Sequence, residues 1–261
     1  MYPKSKMLLT LLTDFGLDDY YVAAVKGTVL RLAPGTTLVD ISHQVPPGDV
    51  ETASFLLAAA APSFLAGTVH LAVVDPGVGS ERRILAVRSG ESFFLAPDNG
   101  LLTPFLDGAE VRSVERGELF LDSPGQTFHG RDRFAPTAAW LLRGERLKEL
   151  GPEVTDPVRW AAPAPVRLPD RISGRVAHVD RYGNLVTDIP YAWLPDAPCR
   201  AEVGGHAALR RVTHYREIPA GEAAMLPGSL GTVELSLNGA DLARAWEVSR
   251  GAVVDIRWNG S

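Results

Sequence analysis

From residue 7 onward, short apolar runs alternate with longer stretches in which apolar side chains recur every three or four positions. Met7–Thr13 is a short apolar run and predicts a strand. In Asp19–Leu32 the residues Val22, Val25, Val29 and Leu32 fall at helical spacing and Pro34 stops the pattern, so a helix is predicted. Thr37–Ile41 predicts a second strand. Asp49 then offers an N-cap, with Glu51 in the first turn, for an Ala/Leu-rich helix ending near Pro62. Thr68–Val74 predicts a third strand, Ile84–Arg88 and Ser92–Leu95 a hairpin around Ser89-Gly90, and Phe134–Leu142 a further helix.

Strands alternating with helices imply a largely parallel sheet covered on both faces, and open sheets of that kind bind ligands at the carboxyl ends of their strands. The first three predicted strands end in Asp14, Asp40 and Asp75, so three carboxylates are expected along one edge. Asp40 is also explained as a turn-former. Between Pro157 and Pro169 the chain reads PVRWAAPAPVRLP, four prolines in thirteen residues, which favours an extended connection. Beyond it the helical period gives way to short alternating runs such as GRVAHVDRYGNLVTDI, GTVELSL and AVVDIRW. The expected architecture is an α/β domain over 1–160, with a mostly parallel sheet between helices. A Pro-rich linker over 161–169 leads to a smaller antiparallel β-barrel-like domain over 170–261.

A length of 261 residues with 46% apolar and 22% charged positions is that of an ordinary globular chain, long enough for two cores. A net charge of −5 without any Lys/Arg-rich run argues against nucleic acid or an anionic membrane as partner and favours a small or cationic ligand. The single cysteine, Cys199, excludes an intrachain disulfide and a Cys-based zinc site, so a cytoplasmic location is expected. Two lysines precede the apolar run Met7–Leu12, but that run is too short for a signal peptide and Thr10, Thr13 and Asp14 interrupt it; nothing is expected to be cleaved.

Three polar clusters stand out. VVDPGVGSERR, residues 73–83, closes a strand with Asp75, turns through Pro-Gly-Val-Gly and returns two arginines. It contains G-x-G but not G-x-G-x-x-G, and the chain has no G-x-x-x-x-G-K-[ST], G-x-S-x-G or H-E-x-x-H. TFHGRDRF places His129 just before a helix, where a lone histidine is more often structural. VDRYGNLVTDI sets Asp180, Tyr182 and Asn184 around Gly183; a hairpin turn explains Gly-Asn, yet the three side chains also offer a stacking ring, a carboxylate and an amide. A metal site from His129, Asp14 and Asp75 is the weaker reading, because Arg82 nearby opposes a cation.

Taken in order, TDFGLDDYYVAAVKG, DISHQVPPGDV, VVDPGVGSERR, APDNGLL, TFHGRDRFAP and VDRYGNLVT resemble the S-adenosylmethionine hydroxide adenosyltransferase family, relatives of fluorinases and chlorinases. The resemblance implies a two-domain subunit assembled as a trimer with substrate held between subunits. It implies hydrolysis of S-adenosylmethionine to adenosine and methionine, with no metal or organic cofactor. Fluorinases carry Tyr-Pro where this chain has Asp75-Pro76 and hydroxyl residues in place of His129-Gly130, whereas the hydrolytic branch carries the Asp, Arg and His found here. By the same carry-over Asp75, Arg82 and His129 are catalytic, with Arg83 the competitor of Arg82, which is chosen by its spacing of seven from Asp75. Asp14, at the ribose, and Asp19 contact substrate from the N-terminal domain; Asp180, Tyr182 and Asn184 do so from a neighbouring barrel, toward methionine. Ser236 and Arg244 lie toward adenine, in a segment, LSLNGADLARAW, that departs from the family pattern.

Displacement at C5′ of a sulfonium needs an ordered water in line, a route for its proton and a dry pocket. An arginine beside Asp75 weakens that carboxylate as a base, so Asp75 and His129 are expected to orient the water and Arg82 to stabilise developing hydroxide, with His129 the available proton acceptor. Rival readings are a halide-using enzyme of the same fold, an adenosyl-ligand sensor without turnover, and a nucleoside or sugar hydrolase.

Overall fold

The strand Leu8–Thr13 (β1) is followed by the helix Tyr21–Leu32 (α1), the strand Thr37–Ser42 (β2) and the helix Val50–Ala60 (α2), whose N-cap Asp49 accepts from Thr52 N–H at 3.0 Å. Strands Val69–Val73 (β3), Ile84–Ser89 (β4), Ser92–Pro97 (β5) and Glu110–Ser113 (β6) and the helix Ala135–Leu142 (α3) complete this half of the chain. The structure, a computed structural model, describes residues 7–161 and 163–258. Residues 1–6, on which the leader-peptide reading turns, and residue 162 of the Pro-rich connection lie outside them. Packing divides the chain into two compact units, residues 1–160 and 161–261.

In the first unit six strands run in the order β2-β1-β3-β5-β4-β6. β2, β1, β3 and β5 are parallel; β4 is antiparallel to both its neighbours, so the sheet is mixed. The departure is local: only Gly90 and Glu91 separate β4 from β5, and a connection that short can only reverse the chain. Side-chain alternation places α1 and α3 on one face and α2 on the other. Leu9 and Leu11 of β1 and Leu71 and Val73 of β3 pack with Val25, Val29 and Ala138, whereas Leu12 and Ala72 pack with Ala53 and Leu57. His70, fully buried in β3, lies 2.8 Å from the Thr10 hydroxyl through Nδ1 and stacks on Phe94 of β5 at 4.8 Å. Three adjacent strands thus share one polar contact and one ring stack.

The second unit begins with the two-residue strand Val166–Arg167 (β7), so part of the expected linker pairs with a strand instead of running free. It continues through Arg171–Val179 (β8), Leu185–Pro190 (β9), Cys199–Val203 (β10), His206–Ala208 (β11) and Arg210–Arg211 (β12). Ala223–Pro227 (β13), Thr232–Leu237 (β14), the short helix Leu242–Ala245 (α4) and Val253–Trp258 (β15) follow. Eight strands run in the order β11-β10-β15-β8-β9-β14-β13-β12, with β7 alongside β8. β12 touches β10 and β11 touches β13, so the two ends approach each other and the sheet is nearly a barrel. It is mixed rather than wholly antiparallel, because the connection 212–222 carries the chain back to lay β13 parallel to β12. Ile172, Val176, Leu185, Val233, Leu235 and Ile256 fill its interior.

Candidate active site

β3 delivers Asp75 two residues beyond its last position, and the next seven residues double back. Val78 N–H donates to the Asp75 carbonyl at 3.2 Å, and Ser80 donates to the Gly77 carbonyl through both its N–H, at 3.1 Å, and its hydroxyl, at 2.7 Å. Gly79 holds φ at +84°, the left-handed conformation that favours glycine. A Cβ at Gly77 would lie 3.4 Å from Arg82 Cγ, an ordinary contact, so the arginine folds back closely against its own loop. Arg82 then grips Asp75 with both ends of its fork: Nε donates to Oδ1 at 2.8 Å, and Nη2 donates to Oδ2. Asn99, from APDNGLL, steadies the strand end by donating to the Val74 carbonyl at 2.9 Å.

His129 approaches from the loop before α3, where residues Gly130–Phe134 form one wide π-type turn. Its Nδ1 lies 3.0 Å from Arg82 Nη2. A guanidinium only donates, so Nδ1 is the acceptor and the neutral imidazole carries its proton on Nε2. That Nε2 is buried with no protein partner among the described residues. Burial, then the charges of Arg133 and Arg82, hold the His129 pKa below its ordinary 6.5.

Asp75 and His129 line a cavity of about 280 Å³ together with Asp14, Phe15, Tyr21 and Phe128. Arg82 is not on that wall; it stands behind the two residues it joins. Asp14 Oδ2 accepts from Gly48 N–H at 2.9 Å. Asp40 belongs elsewhere: it lies within β2, off the cavity wall, and pairs with Lys26 at 2.6 Å and His43 at 3.1 Å, so the expected row of three carboxylates reduces to two at the cavity. Asp19 is exposed and outside the cavity wall. Arg83 turns away from Asp75 to pair with Asp98 and Asp156, each at 2.7 Å. Among the described residues no group of three or more His, Cys, Asp or Glu side chains is arranged to hold a metal ion.

The barrel-like unit carries a second cavity, of about 570 Å³, whose wall includes Tyr182, Asn184, Tyr215 and Ser236. Asp180 does not line it; its Oδ1 accepts from the N–H groups of Tyr182 (2.8 Å) and Asn184 (2.9 Å) and its Oδ2 from Asn184 Nδ2 (2.9 Å). The carboxylate therefore shapes the turn that presents Tyr182 and Asn184. Gly183, at φ +81°, sits at its tip, where a Cβ would fall 2.2 Å from Asp241 Cγ. Arg244 is exposed and off the cavity wall.

Sequence reasoning missed the ring cluster of the first cavity, in which Tyr21 meets Phe128 edge-on at 5.1 Å and Phe15 meets it at 6.1 Å. Phe15 adjoins Asp14 and Phe128 adjoins His129 in the chain, which was the available signal. Tyr215 on the wall of the second cavity and Glu234, which accepts its hydroxyl, were missed. Alternation in TVELSL assigns Glu234 and Ser236 to the face opposite Val233 and Leu235, which predicts solvent, yet both are buried.

An α/β unit with a carboxylate and an imidazole at one ring-lined cavity and a half-buried arginine joining them, together with a barrel-like unit that has its own ligand-sized cavity, defines a two-domain enzyme acting on a small molecule. The particular family follows from comparison: residues 9–151 match the SAM hydroxide adenosyltransferase N-terminal domain and residues 174–255 match its C-terminal domain, and the chain belongs to that family. It is 37% identical over 252 residues to an (R)-S-adenosyl-L-methionine hydrolase of Salinispora tropica, covering 93% of this chain and 95% of the relative. A relative of the same name from Thermus thermophilus is 39% identical over 260 residues, covering 94% and 97%. A fluorinase from an Actinoplanes species is 27% identical over 289 residues, covering 95% and 97%. The crystal structure of a conserved protein from Thermotoga maritima superimposes with a TM-score of 0.89 at 35% identity, covering 96% of this chain and all of that one.

Proposed function

We propose that this chain hydrolyses S-adenosyl-L-methionine, in the (R) sulfonium form named for its relatives, to adenosine and L-methionine. The observation that carries the reading is the Arg82 bridge between Asp75 and His129 at the wall of the first cavity, in a chain similar over nearly all its length to hydrolases of that substrate.

The reaction forms a C5′–O bond and breaks the C5′–S bond, and the electron pair leaves with methionine as a neutral thioether. No acid is needed to expel it. As the C–O bond forms, the water's protons become strongly acidic, so a weak carboxylate suffices to take one late in the step. Asp75 is that group: each of its oxygens accepts once from Arg82 and keeps a lone pair for the water. His129 orients the water through Nε2–H, since its Nδ1 is already occupied by Arg82. In this reading the proton, which the sequence left open between Asp75 and His129, goes to Asp75, and Arg82 acts through its two partners instead of on the hydroxide. Holding the water in line is worth about 7–11 kcal/mol in well-oriented systems, and a positioned base about 10²–10⁴-fold.

Asp14 binds the ribose hydroxyls in this reading, and the aromatic cluster of Phe15, Tyr21 and Phe128 keeps the cavity dry. Tyr182, Asn184 and Ser236 supply the second part of the substrate site from a neighbouring subunit of a homotrimer, a reading supported by the family resemblance. No cofactor enters the step, and the cytoplasm is the proposed location. Among the described residues no helix is long and apolar enough to cross a membrane.

Incubation with (R)-S-adenosyl-L-methionine in ¹⁸O-labelled water tests the reaction, nucleophile and bond cleaved together. Adenosine carrying the label at its 5′-hydroxyl is the expected product. Recovery of intact substrate points to a sensor, and 5′-halo-adenosine in chloride- or fluoride-containing buffer points to the halogenase chemistry of the fluorinase relatives.

A further inference from the structure

Glu234 is a carboxylate with 6% exposure and no cationic partner among the described residues, set beneath the cavity of the barrel-like unit. Burying such a group is costly unless it is hydrogen-bonded. Its Oε1 receives two hydroxyls, Tyr215 at 2.5 Å and Ser236 at 3.2 Å, and both donors belong to the cavity wall. A carboxylate only accepts, so both hydroxyl protons point at Glu234 and away from the cavity. The oxygens of Tyr215 and Ser236 are left to face a ligand as acceptors. Burial, then the Glu234 bond, pushes the Tyr215 phenol well up, which keeps that proton in place.

The two amides of the same wall are fixed in the same sense. Asn184 Nδ2 donates to Asp180 at 2.9 Å and Asn238 Nδ2 donates to the Ile218 carbonyl at 2.6 Å, which turns each Oδ1 the other way. Tyr182, Ile218 and Leu237 supply flat or apolar surface suited to a heteroaromatic ring. The cavity combines ring-binding walls with a polar side biased toward accepting.

We propose that Glu234 is a specificity-determining positioning residue: by drawing the Tyr215 and Ser236 protons inward, it makes this cavity select a 6-amino purine and reject a 6-oxo purine. The inference rests on the adenosyl-ligand reading above, adds which face of the base is recognised, and moves Tyr182 and Asn184 from the methionine end, where the resemblance put them, to the base. An amino group at position 6 donates to the waiting oxygens; an oxo group there opposes them lone pair to lone pair. A site built to accept from one N–H rejects the analogue lacking it by about 10²-fold or more.

The test compares kcat/KM for S-adenosylmethionine and its 6-oxo analogue, S-inosylmethionine, in the native enzyme and in Glu234→Gln and Tyr215→Phe, alongside calorimetric titration of adenosine and inosine. The native enzyme is expected to prefer the amino form by about 10²-fold or more in both measurements. Gln can donate as well as accept, so Glu234→Gln is expected to bring that ratio below about tenfold mainly through KM, with Tyr215→Phe giving a smaller loss in the same direction. Equal binding of adenosine and inosine by the native protein overturns the proposal, as does an unchanged ratio in folded Glu234→Gln. Should Glu234→Gln fail to fold, an unchanged ratio in Tyr215→Phe overturns it. Discrimination in calorimetry without any hydrolysis leaves this proposal standing and removes the proposed activity instead.

Discussion

Arg82 and Arg83 are neighbours with identical side chains, and the structure gives them separate work. Arg82 joins Asp75 to His129, while Arg83 neutralises Asp98, whose side chain is 3% exposed. Arg82→Ala is therefore expected to lower kcat by about 10²-fold or more with little change in KM, and Arg83→Ala to leave kcat within a few-fold while costing about 1–3 kcal/mol in denaturant unfolding. His129 gives a second readout. Neutral imidazole accepts from Arg82, and protonation at Nδ1 breaks that contact and sets two cations together, so activity is expected to fall only below pH 6.5, through the depressed His129 pKa. Because Arg82 is one cause of the depression, the acid limb in Arg82→Ala is expected to move up toward 6.5; a pH–rate profile with the limb unmoved removes the coupling.

Among the elements, the central strands of the first sheet carry a titratable group that the chemistry does not use. His70 of β3 is fully buried and burial depresses its pKa from 6.5 to about 4. The unfolded chain takes up the proton first on acidification, so this contribution to stability is complete above pH 6.5 and is lost as pH falls toward 4. A difference of that size corresponds to about 3 kcal/mol. Denaturant unfolding across that range is expected to show the loss, and His70→Gln, which keeps a partner for Thr10, is expected to flatten it. The elements themselves were largely legible: the spacing of Val22, Val25 and Val29, the Asp49 cap and the hairpin at Gly90 all act locally. β6, β11 and β13 were not, since short strands draw their definition from neighbours distant in sequence.

For the whole molecule, the proposed trimer predicts a mass of about 84 kDa, three times 28.1 kDa, in analytical ultracentrifugation; a monomer retaining full activity overturns the shared site. The sequence by itself determined the two-part organisation, the period of each part and the residue types available for catalysis, because periodicity, capping and turn chemistry are properties of neighbours along the chain. It also identified the family through six short blocks in order. Tertiary structure decided which residues meet: Arg82 with His129 as well as with Asp75, Asp14 and Asp75 without Asp40, and Glu234 beneath a cavity instead of in solvent. Those outcomes depend on which strand ends converge and which loops fold back, and a contact such as that of Arg82 with His129, 47 positions apart, leaves no spacing for a sequence to display.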